Sequence, residues 1–122
     1  MSGDPDIILL ATEWQPRALL RAQLIEEGFE VLATDNWPTM RRFLRPGSKP
    51  PLAIVDLQGL PEPDRVLEDL KILMKPGHVL VLTSIGTIAP NEIQALGFQV
   101  VRRPIHIGSL VATAARALRS DK

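Results

Sequence analysis

The sequence predicts an α/β domain, an open sheet of five parallel strands with helices on both faces. Two observations predict it. Five runs of four or five residues are mostly apolar at successive positions, which is how strands covered on both sides read. They alternate with amphipathic stretches, giving β-α five times over. That order calls for parallel strands joined by right-handed crossovers. A length of 122 residues suits one sheet and one core. The chain 1–122 reads as a single domain with its core from about 6 to 118.

Taken in order, Ile7–Ala11 is the first expected strand, and Pro16 to Glu27 the first helix. That helix carries Leu19, Leu20 and Leu24 on its apolar stripe, with Gly28 as its stop. Phe29–Ala33 is the second strand. Asn36 and Pro38 are a cap and first-turn pair for a short helix through Leu44. Leu52–Val55 is the third strand, with Asp56 as its last residue. Asp64 is the expected cap of a helix over Arg65 to Met74, with Val66, Leu67, Leu70 and Leu73 inward and Lys75-Pro76-Gly77 ending it. Val79–Leu82 is the fourth strand, Asn91 to Leu96 a short helix before Gly97, and Phe98–Val101 the fifth strand. Ser109 to Leu118 closes the pattern, with Leu110, Val111, Ala114, Ala117 and Leu118 as its buried stripe.

Composition excludes several functions. With 14 basic and 14 acidic side chains, no global field draws the chain to nucleic acid or anionic lipid. Arg41, Arg42, Arg45 and Lys49 form a local basic cluster that reads as a solvated helix face. Cysteine is absent, which removes disulfides, thiolate nucleophiles and cysteine metal sites. The opening "MSGDPDIILLA" fits neither a signal peptide nor a membrane span, so a cytoplasmic domain is expected. No Walker loop, dinucleotide glycine signature, G-x-S-x-G or H-E-x-x-H occurs. His78 and His106 have no companions at metal-ligand spacing and read as surface or turn residues. No conventional enzyme is indicated.

In open parallel sheets, ligands sit at the carboxyl ends of the strands, and Asp56 stands at that rim. The surrounding pieces "IILLATEWQPRALLRAQLIEEGFEV", "AIVDLQGLP", "VLVLTSIG" and "VVRRPI" together resemble the receiver domain of two-component response regulators, over Asp6 to Leu118. The resemblance implies a flavodoxin-like (βα)5 sheet of strand order 2-1-3-4-5. It also implies a phosphoacceptor at Asp56, a phosphate-responsive hydroxyl at Thr83 with Ser84 beside it, and Arg103 in the place of the family's phosphate-pairing lysine. The Arg103–Pro104 bond is expected to be cis by the same comparison. Implied partners are proteins, a histidine kinase or a signalling or output protein, with a homodimer face over 88–118. Neither nucleic acid nor membrane is expected as a direct partner.

The sequence departs from that pattern where magnesium should bind. The acidic pair that holds Mg²⁺ in the family falls on Ala11 and Thr12, leaving Glu13 and Asp56 as a weak candidate set. Val100 replaces an aromatic residue on the fifth strand, Pro61 sits one residue late, and Arg65 stands where a glycine usually follows the capping aspartate. A guanidinium at 103 can bridge Asp56 directly and bidentately, giving a closed ion pair where a lysine would act as a point charge. Each site residue also has a plainer reading: Asp56 as an ion-paired strand end, Thr83 and Ser84 as hydroxyls bonding nearby backbone, Glu13 as a solvated helix-start carboxylate. Trp14 is expected on the rim with Leu60 and Pro61, as a partner surface or packed on the first helix; Trp37 is expected to pack at the start of the second.

The expected function is therefore a receiver-like signalling module acting mainly through protein–protein contact, with an impaired magnesium-dependent phosphorylation site. An active receiver phosphorylated at Asp56 by a histidine kinase is the alternative, requiring Mg²⁺. A flavodoxin-like small-ligand binder using the same crevice is a third reading.

Overall fold

The computed structural model describes residues 5–44, 51–84 and 86–119; Arg45 and Lys49 of the basic cluster lie outside them. The element order is β1 (Ile7–Leu10), α1 (Trp14–Glu26), β2 (Val31–Thr34), α2 (Trp37–Arg42), β3 (Leu52–Asp56), α3 (Pro63–Leu73), β4 (Val79–Leu82), α4 (Pro90–Ala95), β5 (Gln99–Val101) and α5 (Ile107–Arg119), with a 3₁₀ turn over Pro76–His78 before β4. The sheet has five strands in the order β2-β1-β3-β4-β5. Every pairing is parallel.

Successive side chains of a strand point to opposite faces, and that alternation divides the core in two. Ile8, Leu10, Ala53, Val55, Val79 and Val81 face one layer, where Met40 of α2, Leu67 and Leu70 of α3 and Ile93 of α4 cover them. Ile7, Leu9, Leu52, Ile54, Leu80 and Leu82 face the other, under Leu20 and Leu24 of α1 and Leu110, Val111 and Ala114 of α5. β1, β3 and β4 are buried at every position. β2 and β5 lie at the edges, and only Thr34 among their residues is buried.

The boundaries show how local chemistry starts and stops each element. α1 begins at Trp14, ahead of the expected Pro16, because a proline in the first turn costs no intrahelical bond. Leu19, expected on the buried stripe, is 55% exposed, while Leu20 beside it and Leu24 one turn on are buried, so the buried face of α1 is narrower than the apolar stripe. The Asn36 side chain accepts from the Thr39 backbone N–H at 2.9 Å, capping α2 as expected.

Asp64 does not cap α3. Pro63 takes the first helical position, for which its fixed φ is suited, so the cap falls on Glu62 and Asp64 lies within the first turn. In α5, Ala115 joins the buried set, while Ala117 and Leu118 are only partly covered. Leu60, expected at an exposed rim, is buried against the α2–α4 layer, its N–H bonded to the Leu57 carbonyl at 3.1 Å. A tight turn folds it inward.

Candidate functional site

Asp56 ends β3 at the carboxyl edge, and its alternation with Ile54 aims it toward the α1/α5 side. Its side chain is 7% exposed. A carboxylate so enclosed needs partners for its charge, and the next turn and β5 supply them. Oδ1 accepts from the Gln58 backbone N–H at 2.9 Å and from Nη2 of Arg103 at 2.5 Å. Arg103 follows β5, its side chain 27% exposed, and its Nε is buried with no hydrogen-bond partner among the described residues.

Thr83, just beyond β4, is buried, and its Oγ1 accepts from the Arg103 backbone N–H at 3.3 Å. The Thr83 N–H donates to the Val101 carbonyl at 3.0 Å. Together these bonds fasten the end of β4 to the segment that carries Arg103. The Ser84 carbonyl accepts from the Thr87 hydroxyl at 2.7 Å, closing the following turn. The Arg103–Pro104 peptide bond is cis. Asp56, Thr83 and Arg103 are thus brought together, with Ser84 and Pro104 on the adjoining loops.

Glu13 is exposed at the start of α1 and makes no side-chain capping bond. Among the described residues, no three histidine or acidic side chains stand close enough to share a metal ion. Trp14 is 70% exposed, and Trp37 packs against the α2–α4 layer.

Two features of the site escaped the sequence. Arg17 donates through Nη1 to the carbonyls of Ala11 at 2.8 Å and Thr12 at 3.3 Å, so a helix side chain closes the end of β1. Thr12 donates its hydroxyl to the Gln58 carbonyl at 2.7 Å, tying the β1 loop to the β3 loop directly beside Asp56. The legible signal was Gly59 inside "DLQGLPEPD". Its φ is +73°, and a Cβ built there would lie 2.5 Å from Thr12 Oγ1.

Gly59→Ala is expected to lower stability by roughly 1–3 kcal/mol, combining a left-handed backbone with that overlap. Thr12→Ala in the same chain should recover the steric share. Urea melts of the three variants check this, and an unchanged midpoint for Gly59→Ala would contradict the packing.

Two cavities flank the pair. One of about 320 Å³ lies between α1 and α5, with Asp56 and Arg103 in its wall. The other, about 560 Å³, lies between the loops that follow β4 and β5 and is lined by Thr83, Ser84 and Arg102.

No known protein-family description matches the chain, and no curated protein does. Solved structures do match. The receiver domain of NtrX from Brucella abortus is 22% identical with a TM-score of 0.79, covering 94% of this chain and 99% of its own. A response regulator receiver domain protein from Clostridium thermocellum is 21% identical with a TM-score of 0.76, covering 94% of each chain. A response regulator receiver protein from Sinorhizobium medicae is 15% identical, TM-score 0.76, covering 98% of each. In full-length FixJ from B. japonicum the match spans 99% of this chain but 61% of the other, so there the fold is part of a longer protein. Sheet order, helix placement and these superpositions agree: the chain has the flavodoxin-like fold of response regulator receiver domains.

Proposed function

We propose that this chain is a receiver-type signal-transduction module that works by binding protein partners, its magnesium-dependent phosphorylation site being impaired. The ion pair between Arg103 and Asp56 is the observation that carries the reading. Phosphoryl transfer spreads negative charge over three equatorial oxygens, and enzymes meet it with positioned cations, usually a divalent metal. Here the acceptor oxygen is already bonded to a guanidinium and to a backbone N–H. The guanidinium already holds the place beside the carboxylate that a charge-neutralising metal would take, and an arriving phosphoryl group would compete with Asp56 for it.

The residues around Asp56 do not suit magnesium, which demands near-octahedral oxygen ligation. Ala11 offers no side-chain donor, the Thr12 hydroxyl is bonded to Gln58, and Glu13 lies exposed at the start of α1. Thr83 fits the same reading: its hydroxyl accepts from the Arg103 backbone, holding the basic residue in place. The partner is a histidine kinase or a signalling or output protein, met through the 88–118 face or the rim bearing Trp14. Use of the same fold within the longer FixJ chain supports a role in contacting other domains.

Intact-mass measurement after incubation with Mg²⁺ and acetyl phosphate tests the reading. The wild-type chain is expected to keep its unmodified mass. A gain of one phosphoryl group that disappears in Asp56→Asn would overturn it and establish an active receiver.

A further inference from the structure

We propose that the outer edge of β2 takes up an extended segment of a partner protein as a sixth strand, the segment being apolar at its centre and basic at both ends. This surface is the sheet edge opposite β5, so the inference goes beyond the signalling reading and does not rest on the state of Asp56. β2 pairs on one side only, with β1. The phase of that ladder is set at its ends. The Ile7 N–H donates to the Glu30 carbonyl at 3.1 Å, and the Ala11 N–H donates to the Thr34 carbonyl at 3.1 Å. Bonds to one neighbour use every second residue of a strand, so Leu32 and Thr34 bond β1 while the N–H and C=O groups of Val31 and Ala33 point outward. The described residues place no strand on that side.

Two observations select the occupant. The first is the strand's own side chains. Val31, Leu32 and Ala33 are apolar and only partly covered, whereas β1, β3 and β4 are buried throughout. A bare edge of this kind is a template for another chain, and proteins guard such edges with lysine, proline or a bulge. β2 has none of these; β5, the other edge, carries the exposed Gln99 and runs into the exposed Arg102. The second observation is charge. Residues 22–40 hold four carboxylates, Glu26, Glu27, Glu30 and Asp35, and no basic side chain. All four are exposed, and Glu30 and Asp35 bracket the strand. Lysine or arginine at the ends of an added strand meets them, while apolar residues between continue the two layers that Val31, Leu32 and Ala33 adjoin. A second copy of this chain does not suit the edge. Two β2 strands paired about a two-fold axis bring the Glu30 end of each to the Asp35 end of the other, and like charges oppose that contact.

Titration of the ¹⁵N-labelled full chain with the peptide acetyl-RKVTVTVKR-amide tests the inference. Saturable shifts and slowed hydrogen exchange are expected at the Val31 and Ala33 amides. Acetyl-EEVTVTVEE-amide has the opposite charge, and acetyl-RKVPVPVKR-amide keeps the charge but cannot form the ladder. Each should bind at least about tenfold more weakly. Reversing the bracketing charges with Glu30→Lys and Asp35→Lys, both at exposed positions, should leave the thermal melt unchanged. That double variant should bind the basic peptide at least about tenfold more weakly and the acidic one more tightly. Absence of saturable shifts at Val31 and Ala33 up to the peptide's solubility limit would overturn the inference. Equal affinity for the basic and acidic peptides, or for the basic and proline-containing ones, would do the same. Protection of those two amides in the free chain, with a dimer mass by sedimentation, would assign the edge to a second copy and overturn it as well.

Discussion

Leu110→Glu is expected to abolish cooperative folding. Leu110 is 1% exposed at the heart of the α1/α5 layer, among Leu20, Ile54 and Leu80. The substitution removes a packed side chain, itself worth roughly 2–5 kcal/mol. It also puts a carboxylate among the apolar side chains of this layer, or forces that carboxyl to protonate. Together these approach the total stability of a domain this size, about 5–15 kcal/mol. Arg116→Glu, on the exposed side of the same helix, should leave the fold intact, any effect being confined to association through the proposed 88–118 face. Circular-dichroism melts of both variants decide the matter; similar melts would refute the burial of α5.

The second large effect is expected at the ion pair. Arg103→Ala should lower stability by roughly 1–3 kcal/mol, because it leaves the enclosed Asp56 carboxylate with Gln58 N–H as its remaining hydrogen-bond partner. The lower part of the range for buried pairs applies because Arg103 is itself partly exposed. The melting temperature should fall by roughly 4–12 °C. Asp56→Asn introduced alongside Arg103→Ala should recover much of that loss, since a neutral amide needs no countercharge. The double-mutant cycle isolates the pair term. A melt of Arg103→Ala identical to wild type, or a double variant as unstable as the sum of the two singles, would show that the pair contributes nothing.

Both predictions rest on residues whose placement is legible in the sequence. Asp56 at the end of β3 follows from an apolar run that stops on a charge; its pairing with Arg103 is also expected, but as a two-pronged fork, whereas the structure has a single bond from Nη2 to Oδ1 with Nε unpaired. Leu110 and Val111 follow from helical periodicity. What was not legible has a common cause. Aspartate is a good cap, which makes Asp64 the expected one, yet Pro63 takes the first helical position and moves the start upstream. Leu19 lies on the apolar stripe and is expected to be buried, yet periodicity does not fix how wide a face of α1 its partners cover, and only Leu20 and Leu24 are enclosed. Leu60 was placed on an exposed rim, although the turn after Gly59 folds it into the core. Arg17 and Thr12 bond to carbonyls of the loop ends, and such bonds carry no sequence signature because any carbonyl accepts.

The sequence by itself determined the alternation of strands and helices, hence a parallel sheet buried on both faces, and the carboxylate at its carboxyl edge. Those features depend on hydrophobic period and chain order, which are properties of neighbouring residues. Only the tertiary structure decided what else, besides Arg103, surrounds that carboxylate. The Thr12–Gln58 bond, the orphaned Arg103 Nε and the cleft between α1 and α5 join residues far apart in the chain, and their distances are set by how layers pack.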